Sequence, residues 1–345
     1  MRYLIFGGPG IGDTVYELSL AKALKEMDSS SKVDLLIHGD KTVENIIREI
    51  LDCQNYIDNL VFLKKGNYIS IFFSLFYLIF KRYDYGFSCA PNFYIKDTPV
   101  RICKIINCKS VVKYFPKKSG NADINVNINN NIHWLKQYEK LIQALYPSVF
   151  LDIDVFDKAS IQSPFSCKFK KRITLVLGTN AFKYHIEGRT LTKNIKEWDV
   201  KRWVKLGNCL SELGYEIFYM GGKKEKIELE IAGMVNIKNR SNILCGKTTI
   251  KESLSILNSS DLVIGGDTGM LHCAAALSVP TISLFGGSDY RIYAPYSIKN
   301  TVIVGKCPHA PCHFKTKYAI NCFRRKCMES ISVEDVINVV KEKSW

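Results

Sequence analysis

The sequence lacks a hydrophobic run long enough to cross a bilayer. Its most apolar stretch, Tyr68 to Phe80, covers 13 residues, where a spanning helix needs ~20. Ending on Lys81-Arg82, it reads as a buried helix, with contact at a membrane surface as the alternative. A secretory leader is not visible either, because Met1-Arg2 runs straight into a short apolar strand and a glycine turn. The expected location is therefore cytoplasmic. Acidic residues are scarce beside basic ones, 33 against 48, giving a formal net charge of +15. That excess selects anionic partners. No RNA-binding signature, zinc-finger helix or basic-aromatic platform accompanies it, so nucleic acid is excluded ahead of an anionic membrane face or a phosphorylated glycolipid.

A complete dinucleotide fingerprint is missing as well. The opening strand and turn read Leu4-Ile5-Phe6-Gly7-Gly8-Pro9-Gly10-Ile11-Gly12-Asp13-Thr14. In either register of G-x-G-x-x-G the third glycine is replaced, by Asp13 or by Val15. A carboxylate at a helix N-terminus would repel a pyrophosphate. Two readings of Asp13 follow: an N-cap for the helix carrying Val15, Leu18 and Ala21 to Leu24, or a base held over an acceptor hydroxyl.

What is present is a globular composition, 47% hydrophobic and 23% charged over 345 residues, a length that suits two domains. Strand-like and helix-like segments alternate from Tyr3 to Ser88, then an asparagine-rich stretch around residues 121–131 reads as a loop. The alternation restarts at Ile173 and continues to Leu284. This is the rhythm of parallel sheets covered by helices. The expected architecture is α/β, with domains at 1–155 and 156–330 and a terminal segment 331–345 whose helix starts after Ser332. Two doubly wound domains would place a cleft between the carboxyl ends of their strands. The linker holds Asp152-Ile153-Asp154. Its D-x-D suggests a metal site, but the alternating Leu-Asp-Ile-Asp-Val context fits an extended strand with an acidic outer face.

The most informative segment runs from Leu262 to Asp289: LVIGGDTGMLHCAAALSVPTISLFGGSD. A buried strand enters Gly265-Gly266-Asp267-Thr268-Gly269, and a helix opens with His272 and small residues Cys273 to Ala276. Gly269 permits close backbone approach, Thr268 offers a hydroxyl, and the amides of the new helix can receive phosphate oxygens. His272 can donate to a diphosphate.

This segment resembles glycosyltransferase family 9, the bacterial heptosyltransferase family, whose members carry D-(S/T)-G-x-x-H-x-A-A-A-L-x-x-P-x-x-x-L-F-G. Gly12-Asp13, Arg82-Tyr83-Asp84, Lys196-Glu197-Trp198 and Cys327-Met328-Glu329-Ser330-Ile331 are similar to other family features. Gly7-Gly8-Pro9 departs from the family's usual residues after the first strand. The resemblance implies a GT-B fold of two facing Rossmann-like domains, acceptor on the first and donor nucleotide on the second, and a terminal helix that crosses back to the first. It implies Asp13 as the catalytic base, with Gly10 and Gly12 on the acceptor-side loop. Thr179, Lys196, Asp267, Thr268, Gly269 and His272 would bind the donor and stabilise the leaving diphosphate, and Glu225 would contact the ribose.

The implied activity is inverting transfer of heptose from ADP-heptose to a lipopolysaccharide core hydroxyl, with no cofactor required for catalysis. The partners implied are a nucleotide-diphosphate sugar, an anionic glycolipid and the inner leaflet of the cytoplasmic membrane. The same chemistry with another nucleotide sugar or a protein acceptor, and a non-catalytic nucleotide-sugar-binding protein, are the alternatives. Of the 12 cysteines, the last four, Cys307, Cys312, Cys322 and Cys327, follow C-x4-C-x9-C-x4-C. Structural zinc or iron, reduced packing thiols and disulfides are the three readings.

Overall fold

A computed structural model describes residues 1–89, 98–115, 124–127, 131–161, 171–179, 182–186, 189–225, 242–313, 316–322, 325–343 and 345. The chain divides into two compact units, Met1–Asp157 and Lys158–Trp345.

The first unit alternates β1 (Arg2–Phe6), α1 (Ile11–Met27), β2 (Lys32–Gly39), α2 (Lys41–Leu51), β3 (Asn59–Lys64), α3 (Tyr68–Ile79), β4 (Tyr85–Ser88), α4 (Thr98–Ile105), β5 (Ser110–Phe115), β6 (Ile124–Asn127) and α5 (Trp134–Gln143). Its six strands lie in the order β3-β2-β1-β4-β5-β6, all parallel. Short apolar strands such as Leu4–Phe6 and Leu35–Ile37 are buried on both faces, as a helix-covered parallel sheet requires. The asparagine-rich stretch expected to be a loop supplies β6, whose Ile124 and Val126 alternate with exposed residues at the sheet edge. At the amino ends of the strands, the buried Asp34 accepts from Tyr83 Oη at 2.6 Å, Asn59 at 2.7 Å and Arg2 at 3.2 Å. This network ties β1, β2, β3 and the approach to β4 together.

The expectation of a buried helix at 68–80 is corrected. In α3 only Leu78 is fully buried; Ile71, Leu75 and Ile79 pack on the core, while the aromatic residues between them face outward. The run is apolar all round, so composition gave no polar face by which to recognise an exposed side.

The second unit comprises β7 (Arg172–Val176), β8 (Phe182–Ile186), β9 (Arg189–Lys193), α6 (Val200–Glu212), β10 (Glu216–Met220), α7 (Ile250–Asn258), β11 (Leu262–Gly266), α8 (Gly269–Ala276), β12 (Thr281–Phe285), α9 (Tyr290–Tyr293), β13 (Asn300–Val304), α10 (Thr316–Ile320), α11 (Lys326–Glu329) and α12 (Val333–Glu342). The main sheet runs β10-β7-β11-β12-β13, and β8-β9 form an antiparallel pair. A single parallel bridge, Tyr219 to Ile243, extends the sheet beyond β10. With it the strand order repeats that of the first unit. Arg172 does here what Asp34 does there: buried at the amino end, it donates to Glu216 and Ser259 at 2.7 Å and lies 4.4 Å over the Phe218 ring. Helix α12 starts at a reciprocal Ser332–Asp335 cap and buries Val333, Val336 and Val340 with Trp203, Leu206 and Leu210 of the second unit.

Candidate functional site

In each unit the chain leaves the first strand to one side of the sheet and returns on the other, so a crevice opens outside the carboxyl ends of the two central strands, the usual ligand position in such sheets. In the first unit that place is held by the turn after β1. The N-cap of α1 is Gly10, with no side-chain cap, and Asp13 is the third residue of the helix. Asp13 is thus not the N-cap that one reading of the sequence makes it. Its carboxylate folds back over Gly10, into the space that a Cβ at position 10 would fill. Glycine at 10 makes room for the aspartate itself.

One helical turn further, Glu17 is fully buried, and its Oε1 accepts the Gly8 amide at 2.6 Å. A Cβ at Gly7 would lie 2.6 Å from that carboxyl group. Burial, and then the charge of Asp13, hold the Glu17 carboxyl well above the ordinary glutamate range. Burial and then Glu17 push the Cys89 thiol up, and burial, Glu17 and Asp13 do the same to the Tyr138 phenol. Beneath Asp13, burial thus favours the protonated form of all three groups. Glu17 is invisible to sequence reasoning, since a single glutamate in a helical pattern reads as a surface residue.

In the second unit, Lys196 Nζ and Asp267 Oδ2 pair at 2.8 Å, with side chains 14% and 11% exposed. Desolvation opposes the charge on Asp267, but the Lys196 cation and its hydrogen bond outweigh it and hold the carboxyl below the usual range. Asp267 follows β11, and Thr268 is the N-cap of α8 without using its side chain as a cap. The first turn of that helix carries no acid. Gly269 and the nearly buried His272 lie on α8 itself. Thr179, after β7, donates to Asn194 Oδ1 at 3.1 Å, and Asn194 returns a bond to the Thr179 carbonyl at 3.1 Å and accepts the Lys196 amide at 3.3 Å. Asn194, absent from the sequence reading, splices Thr179 to Lys196. Glu225 accepts the Gly222 amide at 2.8 Å and lies against Gly178, at the carboxyl ends of β7 and β10.

His313 also belongs to this second cluster. The Cys312 and His313 amides donate to the Gly287 carbonyl at 2.8 and 3.0 Å, folding their segment onto the loop after β12. Burial and the Lys196 cation push His313 down to about 4, so its imidazole is neutral. Of the four late cysteines, Cys312 packs with Ile195 and Ala319 and Cys327 with the main core; all four are free thiols. Burial, with the other three thiols nearby, pushes Cys327 up to about 11. Among the described residues no group of three or more His, Cys, Asp or Glu side chains is arranged to hold a metal ion. Asp152 of the D-x-D pairs with Lys22 at 2.7 Å, and its segment forms no strand. Among the described residues no helix is long and apolar enough to cross a membrane.

The chain is similar to lipooligosaccharide heptosyltransferase 2 of Campylobacter jejuni, 27% identical over 223 residues, 61% of this chain and 66% of that relative, just under two thirds of its length. Among solved structures it is similar to the ADP-heptose lipopolysaccharide heptosyltransferase II of Escherichia coli, with a TM-score of 0.72 and 17% identity over 99% of this chain and 98% of that one. The iron-containing dodecameric glycosyltransferase TibC of enterotoxigenic E. coli shares the fold at a TM-score of 0.56 and 12% identity, over 99% of this chain and 75% of that one. The fold is GT-B, built from two Rossmann-like units. A model of glycosyltransferase family 9 (heptosyltransferase) matches residues 131–322, more than half of the chain and all of the Lys196–Asp267 cluster but not Asp13, and the protein belongs to that family.

Proposed function

We propose that the protein is an inverting, metal-independent glycosyltransferase that moves heptose from ADP-heptose to a hydroxyl of a lipopolysaccharide core acceptor at the inner leaflet of the cytoplasmic membrane. The observation that carries the reading is the contrast between the two carboxyl edges: an aspartate over the first turn of α1 in one unit, and a fixed lysine beside an acid-free helix N-terminus in the other. The donor and acceptor follow those of the similar heptosyltransferases of E. coli and C. jejuni.

In this mechanism Asp13 accepts the proton of the acceptor hydroxyl as that oxygen attacks the anomeric carbon. The bond from that carbon to the diphosphate breaks on the opposite face, and the configuration inverts. Lys196, held in place by Asp267, meets the negative charge that develops on the departing phosphate. The α8 amides beginning at Gly269, the Thr268 and Thr179 hydroxyls and His272 add donors, and Glu225 accepts from the ribose. Gly10 makes room for the Asp13 carboxylate on the acceptor side of the turn, and Gly12 adds no side-chain bulk there. The late cysteines act as reduced packing thiols.

The test is to combine the protein with ADP-heptose and a lipopolysaccharide acceptor lacking that heptose, with and without EDTA. ADP release that requires both substrates, an inverted product and full rate in chelator are expected. Activity lost in EDTA and restored by Mg²⁺ or Mn²⁺ would overturn metal independence; release with a different nucleotide sugar alone would reassign the donor.

A further inference from the structure

The outward face of α3 has no role in the chemistry above, yet it exposes a continuous set of large apolar side chains. Tyr68 is 84% exposed, Ile69 72%, Phe72 65%, Phe73 63% and Phe80 69%. Phe76 and Tyr77 complete the face, both exposed. The rings touch one another: Phe72 stacks near Phe76 with centroids 6.4 Å apart, and Phe80 meets Phe76 edge-on at 4.9 Å. Lys81 Nζ lies 4.5 Å from the centre of the Tyr77 ring. An aromatic strip of this kind in water is unfavourable unless something covers it.

Its surroundings say what covers it. Lys64 and Lys65 precede the helix and Lys81 and Arg82 follow it, while no acid occurs between Asp58 and Asp84. The neighbouring α4 adds exposed Arg101 and Lys104 and ends on the exposed Ile105. An apolar helix only 12 residues long, rich in aromatic rings and rimmed by cations, has the composition of an element that lies in the interfacial plane of an anionic bilayer rather than across it. The basic rim complements anionic headgroups.

The placement in the sheet adds a reason. All strands of the first unit are parallel, so the carboxyl ends of β1 and β3 lie on the same edge. The turn that leads to Asp13 follows β1, and α3 begins four residues after β3 ends. The aromatic strip thus starts on the edge that carries Asp13.

We infer that α3 docks the protein on anionic phospholipid, with its aromatic face seated among the headgroups and acyl-chain ends. This deepens the reading of a membrane-side acceptor, on which it rests only for its biological purpose.

The experiment is flotation of the full chain with vesicles of phosphatidylethanolamine and phosphatidylglycerol, and with vesicles of phosphatidylcholine alone. Binding to the anionic vesicles, at least tenfold weaker to the neutral ones and weakened by salt, is expected. F72S/F76S should lower it at least tenfold without changing the circular dichroism spectrum or the turnover of a delipidated, water-soluble acceptor. The K64Q/K81Q variant should lower binding to the anionic vesicles only. Absence of vesicle binding by the wild-type protein, or binding unchanged in F72S/F76S, would overturn the inference. A wild-type dimer that F72S/F76S converts to monomer, with no lipid binding, would also overturn it and assign the strip to a second copy of the chain. Loss of turnover on every acceptor, with lipid binding intact, would instead overturn the transferase reading alone.

Discussion

The two units share a strand order and differ in what they set at the same place in it. Each sheet has its order reversal between two central strands, β1 and β4 in one, β7 and β11 in the other, and each puts an aspartate just beyond a carboxyl end. In the first unit the aspartate occupies the helix's own first turn, above a buried glutamate whose carboxyl is held well above its ordinary range. The electropositive end of α1 thus faces a carboxylate of the protein. In the second unit the aspartate precedes the helix and is spent on a lysine, leaving the first turn of α8 without an acid. That end suits a phosphate. The same scaffold therefore presents a carboxylate in one copy and an acid-free helix end in the other, by moving one carboxylate from before the helix to inside it.

The largest way to break this contrast is Asp13→Asn. Asparagine keeps the size and polarity of the side chain but cannot accept the acceptor's proton, and loss of a positioned base costs ~10²–10⁴ in rate. Because Asp13 is inside the helix and not its cap, losing its charge at the helix N-terminus costs ~0.3–1 kcal/mol. Steady-state kinetics should show the fall in kcat, while calorimetric ADP affinity stays at the wild-type level. A variant with near wild-type kcat would leave the turn without its base.

Next in size is Lys196→Ala, which removes the cation from the other edge. A hydrogen bond to a charged group contributes ~1.5–3 kcal/mol, so ADP affinity should fall by about 10- to 100-fold. Stability falls too, because Asp267 is left nearly buried without its partner; breaking a buried pair costs ~3–5 kcal/mol. The depressed Asp267 value contributes stability above the unfolded carboxylate range, and this is lost as pH falls through the folded value. In the Lys196→Ala variant that acid-side dependence disappears. The double variant K196A/D267N should recover the melting temperature but not the ADP affinity. Recovery of both would make the pair a structural bridge only.

Much of this was legible in the sequence. Short apolar runs such as Leu4–Phe6 and Leu262–Ile264 are buried on both faces, and their alternation with helical segments gives parallel sheets. The Asp267–His272 spacing placed a turn and a helix start where they occur. Edge and tertiary features were not legible. The short strand β6 is polar at every second residue and sits at an edge, so its composition matches a loop. Asn194 acts through Thr179 and Lys196, and His313 reaches the same cluster through the Gly287 carbonyl; neither contact leaves a local pattern. The aromatic side of α3 was unreadable because its inner and outer faces are equally apolar.

The smallest effect, and the one that sharpens the comparison most, belongs to Glu17→Gln. In the folded protein the Glu17 carboxyl keeps its proton far above the ordinary value, first because of burial and then because of Asp13; in the unfolded chain it releases the proton near pH ~4.3. Between those two values the native state binds one more proton than the unfolded state, so Glu17 makes stability fall as pH rises, by ~1.4 kcal/mol per pH unit at most. Below the unfolded value the penalty vanishes. Glutamine matches the protonated acid in shape and its carbonyl can accept the Gly8 amide that Glu17 Oε1 accepts at 2.6 Å, yet it has no proton to lose. Thermal melts should therefore show Glu17→Gln close to wild type at pH 5 and more stable than wild type at pH 8. Turnover near pH 7 should change by no more than a few-fold, since glutamine reproduces the protonated carboxyl that burial favours beside Asp13. An equal shift in melting temperature at both pH values would mean that Glu17 is ionised in the folded protein, and Asp13 would then stand above an anion rather than a neutral acid.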